Sequence, residues 1–132
     1  MSDEAQPTGP GPSSGPGLPV AGPHRAEPED LVVLGAQLLQ EATERPYGLR
    51  TRPVIRGPLL QAVMFALREG SQLPEHASPP AATLQVLRGE VVLVAGQERW
   101  TLSAGALLPI PPERHHVDAL TDAVCLLTIA RP

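Results

Sequence analysis

The stretch LPEHASPPAATLQVLRGE, Leu73 to Glu90, decides how the rest of the chain is read. Its second half, ATLQVLRGE, is a short apolar run rich in Leu, Val and Thr that stops at an Arg-Gly-Glu turn, as a strand closed by glycine does. Its first half holds one histidine, His76, and the adjacent prolines Pro79 and Pro80, which stiffen the turn and deny it backbone donors. Outward from this stretch the same texture repeats. From Pro53 on, the runs PLLQAVMFALREG, VVLVAGQERWTL, GALLPIPP and HHVDALTDAVCLLTIA are separated by glycine or proline at roughly ten-residue intervals, the rhythm of an antiparallel sandwich or small barrel. VVLVAGQERWTL reads as a hairpin turning at Ala95-Gly96-Gln97, with Trp100 returning as a packing residue.

Before the strands the pattern changes twice. Residues 1–28 are dense in proline and glycine and cannot bury enough apolar surface to offset their ordering entropy, which predicts a disordered tail. In residues 29–45, Leu31, Leu34, Leu38 and Ala42 recur at helical spacing and Val33 and Leu39 widen the apolar face, which predicts one amphipathic helix. Asp30 is its expected N-cap and Pro46 its stop. The barrel is the expected cover for the apolar face. With 132 residues and 42% apolar content, the chain has material for one core, so a single β domain over residues 52–132 follows the helix.

Charge and cysteine usage narrow the function classes. The net charge is -4, every basic residue is an arginine, and aromatics are only 2% of the chain, so there is neither a basic stripe nor a stacking platform and nucleic-acid binding is not expected. Arg50, Arg52 and Arg56 form a loose group read as a solvated edge. Cys125, inside the apolar run AVCLLTIA, is the lone cysteine and reads as a buried small hydrophobe. No apolar stretch approaches the roughly twenty residues that span a bilayer, and no basic segment followed by an apolar one opens the chain. A cytoplasmic protein without membrane contact is the expectation.

Over about Gln61 to Arg131 the chain resembles a small single-domain cupin. The residues that carry the resemblance are Gly70, His76, the strand ending VLRGE, then Gly105, the Ile110 to Pro112 run and the pair His115 and His116. The resemblance implies an all-β fold, an antiparallel, jelly-roll-like cupin barrel; the preceding α-helix and disordered N-terminal tail lie outside it. In that family a first motif similar to GxxxxxHxHxxxxE and a second similar to GxxxxPxGxxH supply three histidines and a glutamate that hold a divalent metal. Three imidazoles and a carboxylate suit Mn, Fe, Ni or Zn. Laid onto this chain, His76 takes the first histidine position, the second falls on Ser78, and the glutamate falls on Ala82 or Thr83. The last histidine is His115 or His116. Alternation with Val117 turns His115 inward, although Glu113 stands where the turn's glycine would be.

Two of the four ligands implied by the resemblance are therefore absent, and Glu75, Glu113 and Asp118 read as surface carboxylates beside turns. His76, Ser78, Thr83 and His115 are the candidate pocket residues, and His76 with His115, or with His116 in its place, the candidate metal ligands. The expected function is binding of a small molecule, or an accessory or regulatory role, by a cupin with an incomplete metal site and no assured cofactor. One alternative is a metal-dependent enzyme of oxygenase or isomerase type that uses His76 and His115 with a nonstandard third ligand. Another is a structural homodimer with a vestigial pocket, paired through PLLQAVMFALREG as an edge. No nucleophile in a recognisable setting, phosphate loop or carboxylate pair points to a reaction.

Overall fold

A computed structural model of the protein describes residues 27–77 and 81–131, and of His76 the backbone alone. The tail expected over residues 1–28 therefore lies almost wholly outside the described residues. Among these, one helix, α1 (Leu31–Thr43), precedes nine strands: β1 (Leu49–Arg56), β2 (Leu60–Leu67), β3 (Gln72–His76), β4 (Ala81–Arg88), β5 (Glu90–Ala95), β6 (Glu98–Ser103), β7 (Leu107–Pro109), β8 (His115–Ala119) and β9 (Ala123–Ala130). They form a five-stranded sheet in the order β1-β2-β9-β4-β7 facing a four-stranded sheet in the order β3-β8-β5-β6. Every ladder is antiparallel. This is the double-sheet architecture expected from the spacing of the turn residues.

The core lies between the sheets. Phe65, Leu67, Leu84, Val86, Val91, Leu93, Val117 and Cys125 are buried there, and Leu49, Leu73, Trp100 and Leu127 pack against them. A second cluster sits on the outer face of the five-stranded sheet, where Leu34, Leu38, Leu39 and Ala42 of α1 meet Met64, Ala66 and Val124. Alternate residues of β2 thus enter opposite clusters, so this strand is covered on both faces. That is why VMFAL reads as a continuous apolar run rather than an alternating one.

The helix starts where expected, with the Asp30 carboxylate accepting hydrogen bonds from the Val32 and Val33 N–H groups. Its buried stripe is Leu34, Gly35, Leu38, Leu39 and Ala42, and Val33, expected to widen it, is instead exposed. Gly35 lies in the stripe instead, and a methyl there would stand 3.0 Å from Val124 Cγ1, a contact that the Val124 side chain would have to relieve by a small shift.

Three further expectations need correction. The barrel begins before position 52, at Leu49, because the polar LRTR segment forms an exposed edge strand. β2, expected as the edge for pairing with a second copy, lies between β1 and β9 with both sides hydrogen-bonded. The edges of that sheet are β1 and β7. The β5–β6 turn is one residue tighter than read: Ala95 pairs with Glu98 and only Gly96 and Gln97 form the loop, with Gly96 at φ 60°.

Cys125 is fully buried, and loss of solvent pushes its thiol up from 9.0 to about 12. Two results follow. The thiol is expected to stay inert to a disulfide reagent at pH 8 in native protein and to react fully in denaturant; rapid native labelling would show that the strand opens. Because the unfolded chain ionises first, the neutral folded thiol stabilises the protein up to about pH 9 and that contribution drains away between pH 9 and 12.

Candidate functional site

β8 and β9 are joined through Leu120–Asp122, and Gly70, just after β2, donates its N–H to the Ala119 carbonyl at 2.9 Å. One end of the barrel is closed by these connections. The other, where β8 and β2 begin and β9 ends, carries His115, Gln61 and Ile129, and is the mouth.

At the mouth the four-stranded sheet presents His115. It is only 2% exposed, and Val117 and Ala119 follow it inward while His116 and Asp118 face away. His115 Nδ1 lies 2.9 Å from the Glu113 carbonyl oxygen, which can only accept, so Nδ1 carries the proton. In the neutral ring Nε2 is then the lone-pair nitrogen. A backbone carbonyl that fixes the tautomer in this way is how proteins orient an imidazole for a ligand. Glu113, out of place by its residue type, contributes its main chain, and nothing in its identity signals that.

His116 Nε2 stands 3.3 Å from an Asp118 carboxylate oxygen on the outer face, and the other oxygen accepts from Gln72. The backbone of His76 is the ladder partner of His115, so the two positions are adjacent in the sheet. Ser78 lies outside the described residues.

On the facing sheet β4 settles where the fourth ligand would stand. Leu84 and Val86 belong to the inner cluster, so Ala82 shares their inward face, and its carbonyl accepts from Ile110 N–H at 2.9 Å. Thr83, expected in the pocket, stands on the opposite face. It pairs with Thr128, which alternates with the inward Leu127. The glutamate position of the first motif is thus a methyl group pointing into the barrel.

Among the described residues the donor set does not fit the four-ligand metal centre. Ala82 offers no donor, and among the described residues no group of three or more His, Cys, Asp or Glu stands close enough to hold an ion.

Among solved structures, the chain is similar to an RmlC-like cupin from Desulfovibrio desulfuricans, with 30% identity, 62% of this chain and 81% of that one covered, and a TM-score of 0.58. The chain belongs to the cupin superfamily. A conserved protein of unknown function from Streptococcus pyogenes matches more of this cupin, 83% of it against 90% of its own length, with 20% identity and a TM-score of 0.60. A salicylate 1,2-dioxygenase from Pseudoaminobacter salicylatoxidans shares the fold at 17% identity and a TM-score of 0.62, over 73% of this chain and 31% of the dioxygenase. No protein-family model and no curated protein matches the sequence. No described helix is long and apolar enough to cross a membrane.

Proposed function

We propose that this cupin binds a small organic molecule at the mouth of its barrel, as a cytoplasmic accessory or regulatory protein, without the four-ligand metal centre. The observation that carries the proposal is His115. Its ring is buried, its Nδ1 is fixed by the Glu113 carbonyl, and it shares the inward face of β8 with Val117, while Leu84 belongs to the apolar core on the facing sheet. An apolar interior with one oriented polar group suits a partly apolar ligand.

A second reading, a metal-dependent enzyme using His76 and His115 with a nonstandard third ligand, draws on the adjacency of those two positions in the β3–β8 ladder. Elemental analysis of purified protein for Mn, Fe, Co, Ni, Cu and Zn separates the two. The binding reading expects metal far below one per chain after mild chelation, and a small-molecule screen by thermal shift whose hits disappear in His115→Gln. Metal near one per chain that vanishes in His76→Ala would overturn it and put the enzyme first.

A further inference from the structure

The mouth has a second wall that the histidine pair does not use. On the five-stranded sheet the register runs Arg56–Gln61–Ile129–Ala82, each residue directly opposite the next. Residues paired in this way share a face, and Ala82 faces inward, so Arg56 and Gln61 stand on the inner face as well. Pro53 pairs with Val63, and Val63 with Leu127 of the inner cluster, which places these two beside them. Pro53, Ile55, Arg56, Gln61 and Val63 line a cavity of about 310 Å³.

The polar groups of this lining, with Arg131 held beside it by Gln61, are one-sided in charge. Arg131 Nη2 donates to Gln61 Oε1 at 3.0 Å, which occupies the acceptor of that amide and leaves its NH₂ group as a donor. Arg56 and Arg131 are cations, and among the described residues neither is paired with a carboxylate. The remaining lining, Pro53, Ile55 and Val63, is apolar. Donors and positive charge on one side, hydrocarbon on the other, are complementary to a compact anion with an apolar body.

We infer that this wall is a carboxylate subsite: Arg56, with the Gln61 amide and Arg131, takes the carboxylate of a small organic acid whose hydrocarbon part lies along Pro53, Ile55 and Val63. A guanidinium matches the planar two-oxygen fork of a carboxylate. The inference rests on the reading of the barrel mouth as a ligand chamber, and adds the class of ligand.

The test uses the full chain and three probes at constant ionic strength: benzoate, its neutral isostere benzamide, and inorganic phosphate. Backbone-amide NMR titration is expected to show saturable shifts for benzoate centred on Ile55 and Gln61 to Val63, with benzamide and phosphate each at least about tenfold weaker. Arg56→Gln is expected to weaken benzoate by at least about tenfold, and Arg99→Gln, an exposed arginine on β6, to leave it unchanged. Equal binding of benzoate and benzamide, tighter binding of phosphate, indifference to Arg56→Gln, or no saturable benzoate shift would each overturn the subsite. His115→Gln separates this inference from the one beneath it. Benzoate lost with Arg56→Gln but kept with His115→Gln leaves the subsite standing and removes the histidine chamber. Screen hits that need His115 and ignore Arg56 do the reverse.

Discussion

Gly89→Ala is expected to cost roughly 4 kcal/mol or more and to leave much of the protein unfolded under conditions in which the native chain is folded. Gly89 is the single residue between β4 and β5, where the chain leaves one sheet for the other, and its φ is 79°. An alanine there meets the left-handed penalty of about 1–2 kcal/mol. The larger effect is contact: a methyl would stand 2.1 Å from the Asp122 carbonyl oxygen, 2.7 Å from Thr121 Oγ1 and 3.0 Å from Ala123 Cα. These belong to the connection from β8 to β9 and the first residue of β9, so two crossovers between the sheets pack back to back at the closed end. Glu90 N–H donates to Thr121 Oγ1 at 3.0 Å, and Leu120 N–H to the Glu90 carbonyl at 2.9 Å. Neither backbone can retreat without breaking these bonds.

Gly105→Ala is the comparison. Its φ is 95°, yet nothing lies within 4 Å of the added methyl, so it bears the backbone penalty alone. Chemical denaturation of both variants decides the point. Equal midpoints would mean that the two crossovers are not in contact.

Ser78→His combined with Ala82→Glu is expected to convert a chain without a four-ligand set into one that retains about one equivalent of Mn, Fe, Ni or Zn. The glutamate at 82 would share the inward face of Leu84 and Val86 and look across the barrel toward the sheet of His115. Without metal, a carboxylate in that apolar surrounding lacks partners, so the apo variant should melt below the wild type. Metal at a hundredfold excess over Kd should return about 2.7 kcal/mol, read as a melting temperature that rises with metal concentration. The control is Ser78→His with Thr83→Glu, one residue along the same strand. Because Thr83 faces the other way, that variant should retain no more metal than wild type. Equal retention by both variants would show that β4 is out of register with the alternation described.

Much of the architecture was legible because it is written in local chemistry. The turn at VLRGE, the hairpin at Gly96, the Asp30 cap and the 31/34/38/42 stripe each follow from a few neighbouring residues, and each lies where the sequence puts it to within one or two positions. The misreadings have a common origin. PLLQAVMFALREG reads as an edge because a lone strand carries no mark of having partners on both sides; its apolar residues at Met64 and Phe65 serve two different clusters. LRTR carries little strand signal because only Leu49 packs against the core and the residues after it are polar. The arginine group read as a solvated edge divides in the same way. Arg50 pairs with Glu41 of the helix at 2.6 Å, Arg52 is exposed, and Arg56 is opposite Gln61 on the inner face.

The sequence by itself determined the fold class and the helix, since those depend on residue type, periodicity and spacing along the chain. The tertiary structure alone decided which of Ala82 and Thr83 faces the interior, and that Arg131 reaches Gln61, the ladder partner of Arg56. The reason is physical: a shift of one residue turns a strand's side chains to the opposite face. Which face becomes the inside is fixed by ladders that join residues as far apart as Gln61 and Ile129, and no local signal carries that information.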